Sequence, residues 1–162
     1  MGLQNELGLL RSIKNQGHET VLNIVFTGTL LTKEGQKVLR PFGLTEAQFN
    51  VLILLKTQSV DGKINQTNLG NMLLVNRSNI TGLVDRMEQA GLVRRIDDPE
   101  DRRVNYVEMT DAGSQALEKA QNAYFSRVDE VMSTLTEDED RFLTRMLERV
   151  RIQLQNSGKN TI

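Results

Sequence analysis

The chain has 162 residues, 20 Lys or Arg against 21 Asp or Glu, one histidine and no cysteine. That length suits one domain, or one domain with helical extensions, and it buries a core without staples. The lack of cysteine excludes disulfides, thiolate metal sites and thiol redox sensing, and His18 alone cannot build a histidine metal cluster.

No signal-peptide pattern stands out, and apolar runs such as Val51 to Leu55 are too short to span a bilayer. The expectation is a soluble, cytoplasmic protein. Aromatics are sparse and prolines number two, whereas Leu, Met, Gln, Glu and Arg are frequent, which favours a mostly helical fold.

Residues 3 to about 38 read as helical, with Gly17, Gly28 and Gly35 as points where the helix bends or breaks. Pro41 and Gly43 close this region. Thr45-Glu-Ala-Gln48 has the form of a capping box, so a helix starts there, and its body from Phe49 to Leu55 is apolar enough to sit centrally in the core. Ser59 to Lys63 is a loop containing Asp61-Gly62. Gln66 to Leu74 is a short helix with Leu69, Met72 and Leu73 inward.

Asn76 is a suitable N-cap for the next helix, whose Ile80, Leu83, Val84 and Met87 form one stripe at spacings of three and four. Gly91 fits the position just past its end. Leu92 to Asp97 and Val104 to Met109 are rich in β-branched residues and read as two strands around the turn Asp98 to Arg102. Thr110 caps a long helix to about Ser133, and Thr136-Glu-Asp-Glu139 is a second capping box. The last helix carries Leu143, Leu147, Val150 and Leu154, and residues 156–162 read as a frayed tail.

The expected fold is mainly α with a small β-hairpin wing: a winged helix-turn-helix over 41–110, flanked by helical regions at 1–40 and 111–162. A net charge of −1 does not advertise a nucleic-acid partner. Residues 76–106 carry six arginines against six acidic residues and are neutral as a segment. Placement therefore has to supply what bulk charge lacks. On the wheel of the helix after Asn76, Ser78, Thr81, Gly82 and Asp85 lie opposite the apolar stripe, with Arg77 and Arg86 on the flanks. A small polar outer face near a helix N-terminus, with its back buried, is what reading base edges in a major groove requires. In the turn, Asp101 and Arg103 point to the same side if extended, so Asp101 can hold the Arg103 guanidinium in a forked pair aimed at a minor groove. Arg102 points elsewhere and suits a phosphate. The candidate DNA-contacting residues are Arg77, Ser78, Asn79, Thr81, Arg86, Asp101, Arg102 and Arg103.

The run NRSNITGLVDRMEQAGLVRRIDDPEDRR, followed by Val107-Glu-Met-Thr-Asp-Ala-Gly113, resembles the MarR family of winged-helix regulators. The flanking helices follow the family plan as well. The resemblance implies a homodimer with interleaved N- and C-terminal helices. It implies a palindromic operator, with helix 76–90 in the major groove and Arg103 in the minor groove. It also implies relief of repression, or sometimes activation, by a small ligand or oxidant; an aromatic or phenolic effector is the expectation here. The family places such ligands between the helical and winged parts, where His18, Phe49 and Tyr124 are candidates. Gly82 departs from the pattern, since many relatives carry a long, often basic side chain there.

A sequence-specific, dimeric DNA-binding regulator, in the form of a ligand-responsive repressor, is the leading expectation. The alternative is a winged-helix protein-interaction module without sequence-specific DNA binding, motivated by the neutral 76–106 segment. No Gly-rich phosphate loop or metal-ligand spacing occurs, and His18-Glu19 lacks the second histidine of a zincin helix. No enzyme, cofactor or metal is therefore expected.

Overall fold

A computed structural model describes residues 2–10, 13–73, 75, 77–98 and 104–159. The elements in chain order are α1 (Leu3–Glu6), α2 (Gln16–Leu39), a 3₁₀ turn (Arg40–Phe42), α3 (Glu46–Gln58), β1 (Lys63–Asn65), α4 (Gln66–Met72), α5 (Arg77–Gln89), β2 (Val93–Asp97), β3 (Asn105–Met109), α6 (Asp111–Met132) and α7 (Glu137–Lys159). The chain divides into two compact units, Met1–Asn122 and Ala123–Ile162, with the boundary inside α6.

Local chemistry accounts for most helix ends. Thr45 and Gln48 form the full capping box of α3: the Gln48 N–H donates to Thr45 Oγ1 at 3.2 Å and the Thr45 N–H to Gln48 Oε1 at 2.9 Å. The 3₁₀ turn carries Pro41 and closes on Gly43, at φ 71°. After α5, the Gly91 N–H donates to Glu88 O at 2.9 Å and the Leu92 N–H to Met87 O at 2.9 Å. This is a Schellman ending, and Gly91 supplies the left-handed residue it needs at φ 72°. The Thr136 box also forms, with Glu139 Oε2 accepting from the Thr136 N–H at 2.8 Å.

The N-terminal region differs from the single helix expected over 3–38. It is broken, with Gly8 at φ 62° after the four residues of α1, and α2 begins afresh behind Asn15, whose side chain accepts from the His18 N–H at 2.9 Å. Gly17, Gly28 and Gly35 all lie inside α2, so none of the suspected glycines makes the break. Propensity is a weak penalty, whereas an N-cap side chain supplies a definite start. At the other end the expected frayed tail is helical as far as Lys159.

A strand absent from the sequence reading completes the sheet, which is three-stranded and antiparallel in the order β1-β3-β2. Asp61 and Gly62, with φ of 51° and 78°, make a tight reversal between Val60 and Lys63, whose backbones exchange two hydrogen bonds at 3.2 Å. β1 then pairs Ile64 with Val107, while β2 pairs Val93 with Met109 through to Asp97 with Asn105. The Asp98 N–H to Val104 O bond, at 3.1 Å, carries the β2–β3 pairing one step outward.

The core of the first unit lies under this sheet. Phe49, Val51, Leu52 and Leu55 of α3 meet Leu69 of α4, Ile80, Val84 and Met87 of α5, and Val93 and Val107 of the sheet, all buried. Leu117 and Ala120 of α6 are buried too. Met72, expected inward, is instead 48% exposed. A seven-residue helix offers only a narrow buried stripe, and Leu69 with Gly70 occupies it. In the second unit, the Tyr124 and Phe125 rings meet edge to face at 5.6 Å.

Candidate nucleic-acid interface

Two glycines allow the close approaches that shape the helix-turn-helix and its wing. A Cβ on Gly70 of α4 would lie 3.2 Å from Ile80 Cγ2, so α4 and α5 cross nearly in contact. A Cβ on Gly113 would lie 2.1 Å from Leu92 O, an impossible distance, so the first turn of α6 presses directly on the corner between α5 and β2. Thr110 locks that corner. Its hydroxyl donates to Gly91 O at 2.6 Å and accepts from the Gly113 N–H at 3.1 Å.

On this frame α5 is held by its back. Ile80, Leu83, Val84 and Met87 are at most 8% exposed, as their spacing predicts. Ser78, Asn79 and Arg86 are exposed. Thr81 is half-buried: its hydroxyl accepts from Gln66 Nε2 at 3.0 Å, so this side chain faces α4 as well as the outer surface. Gly82 is half-buried, and a Cβ there would meet Arg86 Nη1 at 3.4 Å. Arg77 is the first residue of α5. Asp101, Arg102 and Arg103 lie outside the described residues, as do Asn76 with its expected cap and the centre of the turn.

Two arginines of the wing are committed to protein partners. Arg94 pairs with Glu108, the residue opposite it on β3, and this hydrogen bond and charge raise the Arg94 pKa further. Arg95 is the more consequential. Its backbone N–H donates to Glu88 Oε1 at 2.9 Å and its Nη1 to Glu88 Oε2 at 2.7 Å. Nη2 donates to Asp85 Oδ1 at 2.6 Å and to Thr81 O at 3.4 Å, while Nε donates to Gln66 Oε1 at 3.2 Å. One guanidinium thus joins β2, α4 and two turns of α5. Sequence reasoning missed this role because Arg95 looks like the other arginines of its segment. The only available hint was the pair Asp85 and Glu88, spaced three apart on one helix face.

The cluster also explains why a neutral segment need not mean a neutral face. Asp85 and Glu88 are matched internally by Arg95, whereas Arg86 stands exposed on α5. Beside α5, Gln66, Thr67, Asn71 and Asn105 line a shallow, mostly polar cleft floored by Gly70 and Ile80.

Residues 44–104 match the model of the MarR family. The HTH-type transcriptional regulator MhqR of Bacillus subtilis is 34% identical over 114 residues, 70% of this chain and 77% of its own length. The chain belongs to the MarR family. Solved structures of MarR-family proteins share its fold. AbsC from Streptomyces coelicolor superposes with a TM-score of 0.81 at 24% identity, over 90% of this chain and 99% of that one. The Mycobacterium tuberculosis regulator MOSR, solved in complex with DNA, superposes with a TM-score of 0.64 at 25% identity, over 86% and 92%. The helix-turn-helix with its wing is therefore the MarR-family arrangement.

Proposed function

We propose that this MarR-family chain, a DNA-binding transcriptional regulator, works in the cytoplasm as a homodimeric repressor on a palindromic operator. The observation that carries the reading is α5 itself. Its apolar back is fully committed to the core, while Ser78, Asn79 and Arg86 stand exposed on the surface. Polar side chains on a rigidly backed helix are what sequence-specific contact with base edges needs. The solved complex of MOSR with DNA supports the same reading.

In this proposal Arg77, Ser78, Asn79, Thr81 and Arg86 act from the helix in the major groove. Asp101 orients Arg103 toward the minor groove and Arg102 contacts phosphate. Two copies present their α5 helices about 34–36 Å apart, one turn of duplex. The dimer is supported by apolar surface on the long helices: Val21, Val25, Leu30 and Leu31 of α2 are exposed, and so are Phe142, Val150, Ile152 and Leu154 of α7. The regions 1–40 and 111–162 then serve dimerisation and 41–110 serves DNA. A small aromatic or phenolic effector releases the operator by favouring a different spacing of the two α5 helices. A thermal-shift screen with such compounds tests that part.

The central test is an anisotropy titration against DNA flanking the chain's own gene. Operator binding tighter than binding to random duplex by three orders of magnitude or so is expected. Equal affinity for both defeats the reading. Arg103→Ala is expected to cost about 1–3 kcal/mol of operator affinity with the fold intact, and an unchanged affinity rejects the minor-groove role.

A further inference from the structure

Apolar packing turns the stripe of α5 toward the core, but such contacts are non-directional and set the helix rotation only coarsely. Recognition by hydrogen bonds at base edges tolerates only roughly 10–20° of misorientation. Something directional must therefore set how α5 is turned. Among the described residues, the charged group that grips α5 from outside the helix along two of its turns is Arg95, through Thr81 O, Asp85 and Glu88. These three points follow one another at steps of four and three, along a single side of the helix. The same guanidinium takes Gln66 as its fourth partner, and Gln66 in turn donates to the Thr81 hydroxyl at 3.0 Å. Rotation of α5 in either sense breaks some of these bonds.

We propose that Arg95 is a positioning residue for DNA recognition, which sets the orientation of α5 against β2 and α4 and on which operator discrimination depends. The proposal rests on the reading that α5 enters the major groove. Arg95 itself does not touch DNA: four of its five side-chain N–H groups go to protein acceptors, and its side chain is only 23% exposed. Its planar fork is essential to the role, because a lysine ammonium carries the same charge without reaching divergent acceptors in a fixed plane. Gln66 is the neutral second member of the device.

The test compares Arg95→Lys and Gln66→Ala with the unaltered protein, on operator and on random duplex, over a series of salt concentrations. Arg95→Lys is expected to lower the operator-to-random affinity ratio about tenfold, and Gln66→Ala about threefold. Affinity for random duplex and the slope of affinity against salt stay the same, because no phosphate contact is lost. Retention of the ratio by Arg95→Lys means that charge alone suffices and overturns the proposal. Equal weakening on both duplexes, with a slope shallower by about one, makes Arg95 a phosphate contact and overturns it as well. If circular dichroism shows Arg95→Lys unfolded, Gln66→Ala decides alone, and an unchanged ratio overturns the proposal. If the unaltered protein itself fails to prefer operator, the DNA-reading proposal falls, and this one with it.

Discussion

In α5 the apolar positions Ile80, Leu83, Val84 and Met87 are all at most 8% exposed, whereas in α2 Val21, Val25, Leu30 and Leu31 are 48–59% exposed. Both helices carry apolar side chains at helical spacing. The first finds every partner inside the winged lobe, between α3, α4 and the sheet. The second is anchored near its C-terminal end, where Gly35 and Leu39 are buried, and leaves its middle uncovered. An amphipathic pattern thus says that a face will be covered, not by what. A stripe matched within the chain stabilises the fold, and one left in solvent is the surface that the proposed dimer would use.

That contrast can be broken by substitution. Met87→Ala removes a fully buried side chain and is expected to cost about 3 kcal/mol, lowering the melting temperature by several degrees. A melting curve unchanged by this substitution would remove α5 from the core. Val25→Asp is expected to leave the helical circular dichroism intact and to weaken self-association about a hundredfold, close to 2.8 kcal/mol. Sedimentation at micromolar concentration reads the outcome, and a persistent dimer would sink the role given to α2.

Smaller effects sharpen the same comparison. A helix that stands partly away from the core leans on its own ends. Asn15→Ala deletes the side chain that caps α2 and is expected to cost about 1 kcal/mol, visible as faster amide exchange in its first turns. Protection left untouched there would show that packing, not the cap, holds this end. The smallest effect is at α7. The Thr136 N–H and hydroxyl both donate to Glu139 and hold its carboxyl below the ordinary value of 4.5. A carboxyl depressed in the folded state stabilises above its unfolded pKa. That contribution is lost as pH falls through the lower folded value, so the α7 terminus loosens only in acid. Thr136→Ala is expected to return the Glu139 titration part of the way toward 4.5 by NMR, and an unmoved titration would deny the box.

What could be read beforehand divides along the range of the interactions. The Thr45 and Thr136 boxes, the Gly91 ending and the α5 stripe involve residues within a few positions of each other, and each appears where its pattern sits. β1 could not be read, since three residues of Lys-Ile-Asn carry no strand signal and become a strand only beside β3. The same holds for Met72. Its spacing matches the inward face, and only the width available under α4 decides that it stays outside. Thr81 reads as an outward residue on a wheel, yet Gln66, fifteen positions away, engages its hydroxyl.

The sequence by itself determined where α3 and α7 begin, where α5 ends and which side of α5 is apolar, because caps and periodicity act over one or two turns. Only the tertiary structure decided which arginine braces α5, since the acceptors of Arg95 come from two other elements and their convergence depends on how the chain folds back. It also decided which apolar stripe is spent inside and which is left facing out, because burial is a property of neighbours and not of spacing.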